Sequence, residues 1–284
     1  MVKTGKTARF ISLGRFDAAT NMAIDEAILE ANLDKDAPPT LRLYEFTPPA
    51  VSIGYSQRLD SKTIKNIDAS GFAIVRRPTG GRAVLHKNDL TYSFVGSSRQ
   101  VGVDRDNILS TSVIGSYKQI CQGLILAFKQ LGLTLEFGRG KSLRSDKVDC
   151  FEAVTIADLH YQGRKLVGSA QVRRRHAVLQ HGSIILDQAQ GLMQELIGKN
   201  GFENSAPHSV HHANLYEIAG RVIPQKEIEA AIISGFEQAF SIEFVPSSLT
   251  ANELAIHEQL RDKYVVNSWQ QSVGYDGSEV GNIE

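Results

Sequence analysis

The apolar and polar positions alternate over short runs that predict strands, and these runs are separated by segments with helical spacing. Strands are predicted at ARFISLG, TLRLYEF, FAIVRR, RAVLH and DLTYSFV. The run PPAVSIGYSQ is a further strand, and Gly54 inside it indicates a close approach of backbone or ligand. The first helix is predicted over NMAIDEAILEAN, with Thr20 or Asn21 as its N-cap and Asp25 and Glu26 in its first turn.

Four more segments have the apolar spacing of helices. DSKTIKNIDASG is a short helix that ends at Gly71 as a C-cap, and Thr111–Leu133 is a long amphipathic helix. Two further helices are predicted near the C-terminus, over KEIEAAIISGFEQAF and TANELAIHEQLRDKYV.

The middle of the chain predicts three consecutive strands, at EAVTIADLHYQ, RKLVGSAQVR and HAVLQHGSIILD. Gln162-Gly163 joins the first two as a tight hairpin turn. These patterns predict an α+β protein, a mixed or antiparallel sheet packed with helices, with a helical C-terminal portion. We expect a catalytic domain over residues 1–248, followed by a C-terminal helix and flexible tail over 249–284.

The composition narrows the range of possible functions. The 284 residues include 31 Lys plus Arg and 31 Asp plus Glu, so no global charge favours nucleic acid or an anionic membrane. Two cysteines argue against a disulfide framework, and no apolar run is long enough for a signal peptide or a membrane span. We therefore expect a cytoplasmic protein that binds neither nucleic acid nor a membrane. A monomer is also expected.

The stretch VRRPTGGRAVLH concentrates groups that could hold a phosphate, cradle an acyl chain or turn a corner between strands. Gly80 and Gly81 permit a tight turn and a close backbone approach. Arg76 and Arg77 are either ligand-binding groups or an exposed strand end. His86 is better explained as a hydrogen-bonded scaffold residue than as an acid or base.

The two cysteines differ in their surroundings. Cys121 lies on the apolar side of the long helix and is interpreted as a small buried hydrophobe. Cys150 ends the basic loop Gly138–Asp149, where positive charge favours the reactive thiolate. Lys165 follows the Gln162-Gly163 turn, so neighbouring strands could bring its amine beside the Cys150 thiol. A buried cysteine and a solvated lysine remain the plain alternatives.

Four motifs in order, MAIDEAILE, VSIGYSQ, RRPTGGRAVLHKNDLTYSF and GRKLVGSAQ, resemble the lipoate–protein ligase, octanoyltransferase and biotin ligase superfamily. The similarity is closest to the LipM-type octanoyltransferases and spans Arg9–Phe244. It implies a biotin/lipoate-ligase-like catalytic domain. The implied enzyme moves an octanoyl group from acyl carrier protein to a lysine of a lipoyl domain, such as the glycine cleavage H protein, in lipoate biosynthesis.

The resemblance also implies roles for particular residues. Cys150 would carry the acyl group as a thioester and Lys165 would tune it and relay a proton, without metal or cofactor. Backbone amides near Gly80-Gly81 or Gly168-Ser169 are candidates for stabilising the oxyanion. The implied substrate-binding residues come from two segments: Arg76, Arg77, Gly80, Gly81, Arg82, Ala83 and His86, and Gly168, Ser169 and Ala170.

Two departures and several alternatives accompany this interpretation. Arg82 replaces the third glycine typical of ATP-dependent ligases, and Lys87 stands where the family commonly has aspartate. An ATP-dependent lipoate ligase, an amidotransferase between lipoyl domains and a non-catalytic acyl-binding protein remain open. Arg173–Arg175 either dock an acidic carrier protein or form a solvated turn.

Overall fold

The structure, a computed structural model, describes residues 6–33, 37–98, 108–138, 158–187, 196 and 212–265. Eleven strands are assigned within these ranges: β1 Thr7–Phe16, β2 Thr40–Phe46, β3 Ala50–Ile53, β4 Ala73–Arg76, β5 Val84–His86, β6 Asp89–Ser97, β7 Glu136–Phe137, β8 Leu159–Tyr161, β9 Arg164–Arg174, β10 Ala177–Ile185 and β11 Glu243–Pro246. The helices are α1 Ala18–Ala31, α2 Ser61–Ala69, α3 Val113–Gln130, α4 Leu215–Ala219, α5 Gln225–Phe240 and α6 Ala251–Val265.

The strands form two sheets. The large sheet has the order β11-β1-β2-β6-β10-β9-β8-β7, and the small sheet has the order β4-β3-β5. In the large sheet β1 runs parallel to β2 and β11, whereas the other pairs are antiparallel. In the small sheet β3 runs parallel to β4 and antiparallel to β5. The prediction of a mixed sheet packed with helices is therefore confirmed.

Helices α3 and α5 cover one face of the large sheet and enclose the main hydrophobic core. Phe236 of α5 is fully buried and contacts Tyr92 and Phe94 of β6. The two helices pack closely because glycines face the contact. A Cβ on Gly235 would lie 2.3 Å from the carbonyl oxygen of Gly123. Larger residues there would push the helices apart.

Helices α1 and α6 belong to the opposite face. The strand alternation divides the apolar residues, so that Phe94 and Val178 join the α3–α5 core while Val95 and Leu179 pack with α1. The C-terminal end of α6 reaches the same layer, where Tyr264 packs in a cluster that contains Met22 of α1. The division of the chain at residue 248 stays a prediction.

The first helix begins earlier than its sequence pattern indicated. Asp17, rather than Thr20 or Asn21, is the N-cap, and its side chain accepts a hydrogen bond from the Thr20 amide. Asp25 and Glu26 are consequently in the middle of the helix, not in its first turn, and are 0% and 1% exposed. Tertiary partners across the sheet, which local spacing does not encode, explain their burial.

Other local predictions hold, although some strands are longer and others shorter than the sequence suggested. Gln162 and Gly163 have φ of 50° and 78° and form the predicted turn between β8 and β9. Gly71, with φ of 74°, follows α2 as predicted. Only Leu159–Tyr161 of the predicted strand EAVTIADLHYQ is assigned as strand, because most of that run lies outside the described residues. Among the described helices, none combines the length and apolarity that crossing a bilayer requires.

Candidate active site

A cavity of about 750 Å³ lies where the two sheets meet. Large-sheet residues form one wall, β3 and β5 of the small sheet contribute Ser52, Val84 and His86, and α1 contributes Met22. Two loops, residues 54–57 and 79–82, border the opening, where Ser56 and Arg82 are exposed.

Side chains that are either small or polar form the large-sheet wall. They lie in two rows that cross four strands. The register aligns Ala170, His181, Ser93 and Arg42 in one row, and Gly168, Ser183, Thr91 and Tyr44 in the next. Because side chains alternate along a strand, both rows lie on the α1 face of the sheet. A sheet face of this composition is unusual for a buried layer, where apolar side chains are expected.

Asp25 of α1 holds the first row together. Its Oδ1 accepts hydrogen bonds from Arg42 at 2.7 Å and Ser93 at 2.8 Å, and its Oδ2 accepts from Tyr44 at 2.7 Å and His181 at 3.1 Å. Burial alone would raise the pKa of Asp25, but the Arg42 charge and these hydrogen bonds outweigh it and lower the pKa. The carboxylate is therefore a fixed negative charge beside the cavity.

Each of the two cavity histidines lies between a carboxylate and a hydroxyl. His181 contacts Asp25 through Nδ1 and Thr79 Oγ1 through Nε2 at 2.7 Å. His86 contacts Asp89 Oδ2 through Nδ1 at 2.9 Å and Ser52 Oγ through Nε2 at 2.8 Å. Both ring nitrogens of each histidine are therefore occupied, which holds the two imidazoles in fixed orientations.

Arg77 links the two hydroxyls to the loop 79–82. It is 6% exposed, donates to Ser52 Oγ at 3.2 Å and Thr79 Oγ1 at 3.2 Å, and donates to the carbonyls of Gly80 at 2.7 Å and Arg82 at 2.8 Å. Burial lowers the pKa of Arg77 to about 10, so it stays charged at neutral pH. Its hydrogen bonds position the loop that borders the cavity.

Arg76 positions the other loop. Its Nη1 donates to three carbonyl oxygens, those of Gly54 at 2.8 Å, Tyr55 at 2.9 Å and Gln57 at 2.8 Å. The loops themselves touch at Gly54, where an added Cβ would lie 1.9 Å from the Gly81 carbonyl oxygen. The sequence prediction of a close approach at Gly54 is confirmed. The two arginines each organise one rim of the opening.

Lys165 extends along the cavity wall and pairs with a carboxylate. Its Nζ lies 2.9 Å from Asp158 Oδ2, and the lysine side chain is 32% exposed. It crosses the strand over Gly168, where an added Cβ would lie 2.8 Å from Lys165 Cε and 3.0 Å from Nζ. Glycine at this position therefore leaves the space in which the lysine lies.

Ten of the twelve residues predicted for the site line this cavity. Arg76 is not among the described lining residues and acts on the loop 54–57 instead. Ser169 lines the cavity, but its Oγ is within 2.7 Å of the Tyr92 hydroxyl. Cys150 lies outside the described residues, so its place beside Lys165 stays a prediction.

Cys121 is buried in the main core, in agreement with its interpretation as a small hydrophobe. Burial raises the pKa of this thiol to about 12, despite a hydrogen bond from Gln180. A thiol of that pKa is protonated near neutral pH and is a poor nucleophile.

The arginines of QVRRRHAV are largely occupied within the protein. Arg173 donates to the carbonyls of residues 110–112, and Arg174 forms ion pairs with Glu26 and Glu30. Arg175 is exposed in the turn between β9 and β10. These contacts leave little of the segment for docking a partner.

Sequence reasoning missed the acidic residues and one histidine of the site. Asp25, Asp89 and Asp158 each hold a side chain of the cavity, and His181 lies on its wall. The available signal for Asp25 was its position within the apolar helix pattern MAIDEAILE, where a charged residue needs a buried partner. For Asp158 the available signal was different: it lies just before the hairpin that leads to Lys165.

The backbone places the protein among lipoate ligase-like folds. It matches a lipoate-protein ligase A crystallised with ATP, with a TM-score of 0.75, 22% identity and coverage of 94% of this chain and 99% of that one. It also matches a putative lipoate protein ligase from T. acidophilum with bound lipoic acid, with a TM-score of 0.73, 23% identity and coverage of 93% and 98%. At these identities the likeness concerns the fold.

Sequence comparison identifies the family. Residues 17–237 match the lipoyl protein ligase A/B catalytic domain. Octanoyltransferase LipM from Kyrpidia tusciae is 36% identical over 281 residues, covering 93% of this chain and 98% of the relative. Octanoyltransferase LipM from Carboxydothermus hydrogenoformans is 37% identical over 270 residues, with the same two coverages of 93% and 98%. The chain therefore belongs to the lipoyl protein ligase A/B catalytic domain family, as its motifs indicated.

Proposed function

We propose that this protein is a cytoplasmic octanoyltransferase of lipoate biosynthesis. It moves an octanoyl group from acyl carrier protein to a lysine of a lipoyl domain, such as the glycine cleavage H protein, through a thioester on Cys150. Identity of 36% and 37% to octanoyltransferases over most of the chain supports acyl transfer as the reaction.

The observation that carries the proposal is the position of Lys165. Its amine lies on the wall of the cavity, held by Asp158 and accommodated by Gly168. Beside it, Ala170 and Ala83 present only small side chains to the cavity, which suits the binding of a linear acyl chain. A lysine that is anchored beside an acyl-sized cavity can act on a reacting acyl group.

The chemistry follows in two balanced steps. The Cys150 thiolate attacks the donor thioester carbonyl, a new C–S bond forms, and the donor sulfur leaves as a thiolate that takes a proton from the Lys165 ammonium. The acceptor amine then attacks the enzyme thioester, the amide C–N bond forms, and the Cys150 thiolate leaves while the amine loses its proton. The first step exchanges one thioester for another and needs no nucleotide.

Lys165 contributes to both steps. As an ammonium it stabilises the thiolate of Cys150, and as an amine it can receive the proton of the acceptor lysine. Asp158 holds its Nζ in place through the cycle. We assign the oxyanion-stabilising amides to the loop of Gly80 and Gly81. This loop lies at the cavity opening and outside the hydrogen-bond ladders of the strands.

The deciding experiment is acylation without ATP. The purified protein, mixed with octanoyl-acyl carrier protein in the absence of nucleotide, should gain the mass of one octanoyl group by intact-protein mass spectrometry. Adding a lipoyl domain should move that mass to the domain. Cys150→Ala should abolish both events.

Cys121→Ser is the matched control for the cysteine assignment. It replaces the other sulfur, which is buried and protonated, so the adduct should form as in the unmodified protein. Loss of the adduct in Cys121→Ser alone would overturn the assignment. Lipoyl-domain modification that requires ATP, releases pyrophosphate and survives Cys150→Ala would instead identify a ligase.

A further inference from the structure

An exposed tyrosine and an exposed arginine are carried by the two loops that border the cavity opening. Tyr55 is 67% exposed, and Arg82 is also exposed. Their loops touch: the Tyr55 amide donates to the Thr79 carbonyl at 2.8 Å, and Gly54 packs against the Gly81 carbonyl. We call Tyr55 and Arg82 the rim pair.

The backbone under the rim pair is fixed. Arg76 binds the carbonyl oxygen of Tyr55 itself, at 2.9 Å, and Arg77 binds that of Arg82, at 2.8 Å. An aromatic residue on a fixed loop loses little conformational entropy when a partner covers it, which is typical of residues that dominate binding energy. The backbone that carries the rim pair is therefore preformed for docking.

The rim pair also carries a positive charge available to a partner. Within the described part of the chain, the Arg82 guanidinium forms no hydrogen bond or ion pair. Asp158, the carboxylate among the described cavity-lining residues, is paired with Lys165. An anion that approaches the opening therefore meets a guanidinium whose donors are not used by any residue that the structure describes.

The charge of Arg82 distinguishes the two protein substrates. The acceptor presents a lysine, whose positive charge is repelled by a guanidinium at the entrance. The donor carries its acyl thioester on a phosphopantetheine arm, whose phosphodiester is an anion that arginine binds through paired hydrogen bonds. The rim pair therefore fits the donor better than the acceptor.

We propose that Tyr55 and Arg82 dock the acyl donor, with Arg82 binding the phosphodiester of its arm and Tyr55 packing against the arm or the carrier surface beside it. This inference rests on the proposed function, and it specifies which substrate the cavity opening recognises. It also assigns Arg82 a binding role at the position where ligases of the family have glycine.

The test compares acyl donors that differ in the arm. Three variants are compared: Arg82→Ala, Arg82→Glu and Tyr55→Ala. Each is loaded from octanoyl-acyl carrier protein, from octanoyl-phosphopantetheine and from octanoyl-N-acetylcysteamine, the last of which lacks the phosphate. We expect Arg82→Ala to slow loading from the two phosphate-containing donors by about tenfold and Arg82→Glu by more, with no change for the third donor. Tyr55→Ala should slow loading from the carrier protein by about fivefold.

Arg175→Asn serves as the matched control, because it removes another exposed guanidinium and asparagine tolerates the φ of 53° at that position. Its loading from all three donors should equal that of the unmodified protein. Equal slowing of the three donors by Arg82→Ala, or no slowing of any, would overturn the proposal, as would a selective loss of carrier-protein loading in Arg175→Asn.

A binding measurement separates this proposal from the thioester mechanism. Carrier protein with and without its phosphopantetheine arm is titrated onto Cys150→Ala protein, which cannot form the thioester. The arm should tighten binding, and Arg82→Glu in the same background should remove that gain. If the gain persists in Arg82→Glu, the docking assignment is wrong even where loading succeeds. If unmodified protein fails to load but the gain is lost in Arg82→Glu, the proposed chemistry is wrong and the docking assignment stands.

Discussion

Lys165 Nζ lies 2.9 Å from Asp158 Oδ2 on the wall of the cavity. The two residues are close in sequence, and the tight turn at Gln162 and Gly163 folds β9 back along β8, so a local hairpin brings them together. The carboxylate restricts the long lysine side chain to one direction, over Gly168 and into the cavity. Asp158 therefore positions the amine that we assign to the reaction.

Asp158→Asn should slow acyl transfer with little loss of stability. The amide keeps the shape of the side chain but not its charge, so the lysine is no longer held by an ion pair. We expect the rate of transfer from the acyl-enzyme to a lipoyl domain to fall by about 10- to 100-fold, measured by single-turnover mass spectrometry. A shift in the pH profile of that rate would accompany the loss, whereas a structural role alone would leave the profile in place.

Gly168→Ala should act through Lys165. The new methyl group would lie 2.8 Å from Lys165 Cε and would displace the amine from its place. A misplacement of this kind is expected to slow turnover on the order of 100-fold. In a Lys165→Ala background the same substitution should have almost no further effect on turnover. Additive losses in the double variant would show that Gly168 serves another purpose.

Protein stability should depend on the protonation of His181. Burial lowers the pKa of His181, although Asp25 opposes that shift, so the folded protein binds fewer protons at this site than the unfolded chain. The free energy of unfolding should therefore fall as the pH drops below about 6.5, the usual imidazole pKa. Protonation of Asp25, whose folded pKa is lowered, adds a further loss at more acidic pH.

His181→Asn provides the check, since asparagine can still donate to Asp25 but does not titrate. Urea unfolding of this variant should show a smaller change of stability between about pH 6.5 and pH 5 than the unmodified protein. An unchanged slope in His181→Asn would contradict the assignment.

Glu253→Gln should destabilise the attachment of α6. Glu253 is 1% exposed and pairs with Arg9 of β1, which is itself 7% exposed. Glutamine can still complete the capping interaction with the Thr250 amide, but it leaves the buried arginine without a counter-charge. We expect a loss of about 3 kcal/mol in the free energy of unfolding, measured by urea denaturation. Glu258→Gln, an exposed change on the same helix, should have an effect below about 0.5 kcal/mol.

Local sequence patterns predicted most of the elements because the causes of those elements are local. The turn at Gln162 and Gly163 and the end of α2 at Gly71 each place a glycine at positive φ, so the glycines reveal both positions. Strand ends were less certain, as at β3, because the pairing partner decides where a strand stops. The start of α1 was misplaced because several polar residues compete for the cap and only Asp17 takes it.

The sequence by itself determined the fold class, the family and most of the cavity-lining residues in the motifs RRPTGGRAVLH and GRKLVGSAQ. It did so because apolar spacing, turn residues and motif order are written along the chain. Only the tertiary structure decided what the charged groups do. Arg76 and Arg77 shape the two loops, and Asp25 and Asp158 hold His181 and Lys165. A buried charge is stabilised by the partners that the fold brings within hydrogen-bonding distance. For Asp25 these include Arg42 and His181, of which His181 is far away in sequence.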